Sequence, residues 1–170
     1  MSTADGDRLT RLWTPHRMAY VTADSPGSVA GGCPFCAIPT RSDEDGLVLR
    51  RSELAYAVLN LHPYNPGHLM VLPLRHVADY EDLTAQECAE IAALTQQALR
   101  TVRAVSHPHA FNIGMNLGGV AGGSLAEHLH QHVVPRWSGD ANFITVLSEV
   151  KIIPQLLADT RALLADAWLA

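Results

Sequence analysis

From residue 46 onward the hydrophobic and polar positions fall into blocks whose period changes from strand-like to helical and back. Three short apolar runs, Leu47 to Arg50, Ala55 to Asn60 and His68 to Pro73, are separated by Arg51-Ser52-Glu53 and by His62-Pro63-Tyr64-Asn65-Pro66-Gly67. Short apolar runs divided by turn-forming residues predict consecutive strands, here an antiparallel meander. Thr84 with Glu87 three residues on makes a capping box, and Ile91, Leu94, Ala98, Leu99, Val102 and Val105 then recur at helical spacing up to His107-Pro108. Such a helix carries an apolar stripe that must lie on something, and a sheet face is the available partner. Phe111 to Leu117 and His128 to Pro135 return to strand character. Ile153, Leu156, Leu157, Leu163, Leu164, Ala167 and Trp168 form a second helical stripe, with Pro154 near its first turn. The order strands, helix, strands, helix predicts an α+β fold: an antiparallel sheet of about five strands with one long helix and a C-terminal helix.

Residues 1 to 32 lack such periodicity and contain Pro26, Gly27, Gly31 and Gly32, which reads as an extended N-terminal arm feeding the rest of one 170-residue domain. An apolar fraction of 48% with 17% charged residues suits a packed globular core. The net charge of -5 and the absence of Lys/Arg runs argue against a nucleic-acid partner. No apolar stretch reaches membrane-spanning length and Met1 to Arg8 is too polar for a secretory signal, so a cytoplasmic protein is expected. Three cysteines do not make a disulfide framework; Cys33-Pro34-Phe35-Cys36 suits one metal ion better, while Cys88 falls in the helical pattern and is expected in the core.

The chemistry concentrates in Glu127-His128-Leu129-His130-Gln131-His132-Val133-Val134-Pro135, where three of the nine histidines stand two apart. On a strand that spacing puts three imidazoles on one surface. A metal site of H-x-H type and a nucleophilic site both fit this pattern. Immediately upstream, Asn116-Leu117-Gly118-Gly119-Val120-Ala121-Gly122-Gly123-Ser124 is a glycine-rich loop of the sort whose backbone N–H groups approach anionic oxygens. A neutral imidazole attacks phosphorus without prior deprotonation, and the phosphoramidate formed is reactive enough to be cleaved again.

The run H-L-H-Q-H-V-V-P resembles the motif of the histidine triad family. The resemblance extends in family order through Leu12-Trp13-Thr14-Pro15, Cys33-x-x-Cys36, Ala57-Val58-Leu59-Asn60, Pro66-Gly67-His68, Arg75-His76 and Asn116-x-Gly118. It implies an α+β homodimer that binds a nucleotide and transfers or hydrolyses its α-phosphate. The stretch from Gly122 through Phe143, G-G-S-L-A-E-H-L-H-x-H-V-V-P-R-W-x-G-D-x-N-F, is similar to the actinobacterial branch that phosphorolyses diadenosine tetraphosphate. Its substrates would be a dinucleoside polyphosphate and inorganic phosphate.

Carried over residue by residue, the resemblance makes His130 the nucleophile and sets His132 on the phosphate or leaving-group oxygens. It gives Asn60 a ribose contact, makes Asn116, Gly123 and Ser124 a phosphate cradle, and puts Trp137 near the nucleotide. Ser124 stands where many hydrolases of the family carry Gln, which favours phosphate over water as acceptor; Arg136 is a further source of charge if it turns inward. The family's zinc-containing members imply a structural Cys2His2 site of Cys33, Cys36, His76 and His128. Two readings of His68 stay open, support for the triad or a turn-end strand residue, and His16, His62, His107 and His109 receive no role. The rivals are a family hydrolase of dinucleoside polyphosphates or nucleoside phosphoramidates, and a zinc-containing nucleotide-binding protein with little turnover.

Overall fold

The computed structural model describes residues 32–122, 125–140 and 153–168. The expected N-terminal arm, including Leu12-Trp13-Thr14-Pro15, lies outside the described residues apart from Gly32.

Five strands, β1 (Val48–Arg51), β2 (Ala55–Leu59), β3 (Leu69–Pro73), β4 (Ala110–Met115) and β5 (Gln131–Arg136), form one antiparallel sheet in the order β1-β2-β3-β5-β4. The α+β expectation therefore holds, and the first three strands are the meander that the turn residues predict. The last strand, however, inserts between β3 and β4 instead of lying at the edge.

β2 and β3 are buried at every position, because each face has its own cover. Ala55, Ala57, Leu59, Leu69, Val71 and Val133 face the long helix α2 (Ala85–Ser106), packing on Ile91, Leu94, Ala98 and Val102. Tyr56, Val58, Met70 and Leu72 point the other way and pack on Phe35 of the one-turn helix α1 (Pro34–Ala37). The alternation follows from the pleat, and residues of both sets are apolar because both faces are covered.

α2 begins with the expected capping box: the Glu87 N–H donates to Thr84 Oγ1, and the Thr84 N–H donates to Glu87 Oε2 at 2.8 Å. It ends at His107, whose left-handed φ of 46° closes the helix before Pro108. The C-terminal helix α3 (Leu157–Asp166) is shorter than its apolar stripe suggests, and Pro154 precedes it. Leu164 and Trp168 are buried against the α2 face, with the Trp168 indole N–H donating to Gln97, whereas Leu156 and Leu163 are exposed. Cys88, expected in the core, is only half-buried on α2.

Candidate active site and adjoining thiol-imidazole cluster

The face of the sheet opposite α2 carries an open cavity of about 1450 Å³. Its lining includes the apolar Phe35, Ile38, Leu47 and Val58, the rings of His130 and His132, and the polar Asn112 and Arg136. Two of the expected nucleotide contacts, Asn60 and Asn116, also line it. Gly123 and Ser124 lie outside the described residues.

The three histidines do not share one surface as strict strand alternation predicts. β5 begins only at Gln131, so His128 and His130 precede the ladder, and the period-two rule does not bind them. His130 and His132 stay together, ring centroids 4.9 Å apart, while His128 turns toward the cysteines. Phe35 stands between the two groups, its ring 5.6 Å from that of His128 and 5.0 Å from that of His130.

Hydrogen bonding assigns a tautomer to His130, His68 and His132. His130 Nδ1 lies 2.9 Å from the His128 carbonyl, which can only accept, so Nδ1 carries the proton and Nε2 keeps its lone pair. His130 is buried, and burial lowers its pKa from the usual histidine value against the opposing pull of that carbonyl. The imidazole is therefore neutral near pH 7.

A second chain of bonds runs through His68. The Tyr64 backbone N–H donates to His68 Nδ1 at 3.0 Å, which leaves the proton of the neutral ring on Nε2. That proton is donated across 2.9 Å to His132 Nδ1, so His132 must carry its own on Nε2. Burial, with the neighbouring histidines adding to it, pushes His68 down to about 3 and His132 down to about 4. The Tyr64 ring covers this pair, 4.7 Å from the His68 ring and 5.8 Å from that of His132. Of the two readings of His68, support for the other histidines is the one the geometry favours. Asn60 joins in: its Oδ1 accepts from the His62 N–H, turning its Nδ2 toward the His68 ring.

Cys33, Cys36, His76 and His128 come from three separate segments and place their ligand atoms within 4.8 Å of one another. The Cys33 Sγ–His128 Nδ1 and Cys36 Sγ–His76 Nδ1 distances are both 3.4 Å, Cys36 Sγ–His128 Nδ1 is 3.5 Å, and the two Nδ1 atoms are 3.3 Å apart. A tetrahedral ion with Zn–S of about 2.3 Å and Zn–N of about 2.0–2.1 Å has S···N edges of roughly 3.5 Å and N···N edges of roughly 3.3 Å. The donor set and its spacing thus fit one tetrahedral cation. His128 Nε2 donates to the Pro73 carbonyl at 3.0 Å, which aims Nδ1 at the cluster. Burial, and then Cys33 beside it, push the Cys36 thiol up. Arg75 forks onto buried Glu87, tying the segment of His76 to the first turn of α2.

Two expectations fare differently. The Trp137 indole N–H donates to the Ser106 carbonyl at 3.3 Å, and Trp137 is not among the described residues that line the cavity. Arg136 does face the cavity, but beyond Val134 and not beside His130 and His132. Sequence reasoning missed the group around it: Asn112, Asp140 and Asn65, whose Nδ2 donates to both Asp140 and the Pro135 carbonyl. Asn112 and Gly114 two apart on β4, with Asn116 just past its end, are a signal that could have pointed to this group.

Fold and site together define a class: an α+β protein in which neutral histidines of fixed tautomer face a large cleft beside a thiol-imidazole cluster. The sequence profile of the HIT domain matches residues 41–139, and the chain belongs to that family. An AP-4-A phosphorylase of Mycobacterium tuberculosis is 60% identical over 167 residues, 95% of this chain and 86% of that protein. A bis(5'-nucleosyl)-tetraphosphatase (asymmetrical) of Schizosaccharomyces pombe is 34% identical over 93 residues, 55% of this chain and 50% of that protein. Among solved structures, a zinc-bound histidine triad family protein from Mycobacterium smegmatis superposes with a TM-score of 0.63 at 30% identity, covering 81% of this chain and 93% of that one.

Proposed function

We propose that the protein is a diadenosine tetraphosphate phosphorylase that forms ATP and ADP through an adenylyl-histidine intermediate. The observation that carries this reading is the bare Nε2 of a neutral, buried His130 facing a large open cavity, in a chain 60% identical to an AP-4-A phosphorylase. His130 Nε2 attacks the α-phosphorus; the bond from that phosphorus to the α,β-bridging oxygen breaks, and ATP departs with the oxygen. The Nε2–H of His132 donates to the phosphoryl or leaving oxygens, and His68 keeps it in that tautomer. An oxygen of inorganic phosphate then attacks the adenylyl phosphorus, the N–P bond breaks, and ADP leaves with His130 restored. Asn60 contacts the ribose, and Asn116, with Gly123 and Ser124, cradles the phosphate.

Cys33, Cys36, His76 and His128 would hold a zinc ion, which supplies structural closure and no open position for substrate. The fit of the cluster and the zinc-bound relative support this assignment. Through the His128 carbonyl and Phe35 the same residues also orient His130. A homodimer is supported by β4, an edge strand with exposed positions including Ile113. Among the described residues no helix is long and apolar enough to cross a membrane, and a pair of reduced thiols suits the cytoplasm.

Hydrolysis is the second reading, favoured by the likeness to the tetraphosphatase. Product analysis of diadenosine tetraphosphate with and without labelled phosphate separates the two. Phosphorolysis gives ATP and ADP with the label in the β position and a rate that saturates with phosphate. AMP formed at one rate with or without phosphate establishes the hydrolase instead.

A further inference from the structure

The cavity continues well past the reacting histidines. Along β5, Gln131 and Val133 point to the α2 side, where Gln131 donates to Thr95, whereas His132, Val134 and Arg136 line the cavity. Arg136 therefore stands four residues beyond His132 on the same face, about 13 Å away at a strand rise of ~3.3 Å per residue. The Arg136 side chain reaches back only to Asn112, which pairs with Val134, two residues past His132.

Its guanidinium is held on three sides. Nε and the NH2 nitrogen donate to the two Asp140 carboxylate oxygens at 2.6 and 3.0 Å, and the NH1 nitrogen donates to Asn112 Oδ1 at 2.8 Å. Asp140 is fixed in turn by Asn65 Nδ2 at 2.7 Å and by the Trp137 N–H at 3.2 Å. Arg136 holds the Asp140 carboxyl well below the usual carboxylate range, so the pair stays ionised through neutral pH. The Arg136 side chain is nevertheless 45% exposed, and a half-exposed ion pair contributes little to stability. What the network does accomplish is to fix a planar fork in one orientation at the cavity wall. Three of the five guanidinium N–H groups are engaged by these bonds, which leaves two, and Asn112, whose Oδ1 is engaged, keeps its Nδ2 donors.

The cavity lining matches the parts of a substrate. Phe35, Ile38, Leu47 and Val58 are apolar and suit a base, and His130 and His132 suit the adjoining phosphate. Asn112 and Arg136, in the same cavity beyond His132, offer donors and positive charge to the phosphates that follow the α-phosphate.

We infer that Arg136, held by Asp140 and flanked by Asn112, forms a distal subsite for the phosphates of the leaving nucleotide, beyond the phosphorus at which the bond breaks. The inference rests on the nucleotidyl-transfer reading above. The subsite makes Arg136 a specificity residue: it favours substrates with several phosphates over short adenylyl donors, and it takes no part in the second step.

The test compares kcat/KM for diadenosine tetraphosphate with that for adenosine 5'-phosphoramidate, an adenylyl donor with no phosphate beyond the α position. In Arg136→Gln the ratio of the two should fall about 10-fold or more, mostly through KM, as expected for a lost charge-assisted contact to phosphate. Arg136→Lys keeps the charge but not the fork and should fall between that variant and wild type. Asn112→Ala leaves the Arg136–Asp140 pair intact and should lower the ratio in the same direction by a smaller factor; it decides the matter if Arg136→Gln fails to fold. A ratio that stays within about twofold of wild type in the folded variants overturns the distal subsite while leaving the enzyme reading in place. A wild-type protein that transfers adenylyl from neither substrate overturns that reading first, and the subsite with it.

Discussion

Acidification from pH 7.5 to pH 5.0 should destabilise this protein through the pair His68 and His132, and the size of the effect follows from their burial. In the folded state His68 is pushed down to about 3 and His132 down to about 4, both first by burial, so both are neutral across this interval. In the unfolded chain each titrates near 6.5 and is mostly protonated at pH 5.0. The unfolded state then binds more protons than the folded state, so stability rises with pH through this window and is lost on acidification. Each group should contribute a loss of roughly 2 kcal/mol between the two pH values. His132 is only half-buried, and discounting it for solvent screening brings the total to about 3 kcal/mol. Glu87, held down to about 2 by Arg75, gives up its own contribution only as the pH falls below about 4.5, outside the interval. Urea unfolding at the two pH values measures the loss. His68→Gln can still accept from the Tyr64 N–H and donate to His132, and it should show a pH dependence smaller by about 2 kcal/mol. Comparing the variant with wild type cancels whatever a bound metal adds. A wild-type loss below about 1 kcal/mol, or a variant that keeps the full dependence, would refute the assignment of neutral, hydrogen-bonded rings.

Three further outcomes follow from the same structure. His130→Ala should lower turnover to about a thousandth or less of wild type while nucleotide binding persists, and His132→Ala should be less severe; single-turnover assays with equilibrium binding check both. Metal analysis of gently purified protein should find about one zinc per chain, and chelation should lower the melting temperature. A metal-free protein with an unchanged melting temperature would sink the Cys33, Cys36, His76, His128 assignment. Thr84→Ala removes the side-chain acceptor of the α2 capping box and should cost about 1 kcal/mol, whereas Leu94→Ala, which opens the core under the sheet, should cost about 2–5 kcal/mol by urea unfolding.

Much of the molecule is legible in its residues because the properties concerned are local. The capping box at Thr84 and Glu87 and the helical spacing from Ile91 to Val102 mark α2, and the turn at Pro66-Gly67 separates β2 from β3. Gly67 adopts a left-handed φ of 71° there, which a residue without Cβ tolerates best. The period-two histidines and the Cys33-x-x-Cys36 pair are each visible as well, since residue type and spacing are sequence properties.

What tertiary structure alone decided depends on distances along the chain that no local pattern encodes. β5 lies between β3 and β4 because its Val133 face completes the layer under α2, and this insertion carries His132 beside His68, 64 residues earlier. It also brings His128 to Cys36 across 92 residues and Asn65 to Asp140 across 75. The alternation of His128, His130 and His132 suggested one row of three rings, yet the ladder starts at Gln131, so the backbone ahead of it is free to turn His128 into the thiol cluster. Pleat and helical pitch act over a few residues and can be read from sequence, whereas strand order is set by which faces must be covered, and it is strand order that assembles the site.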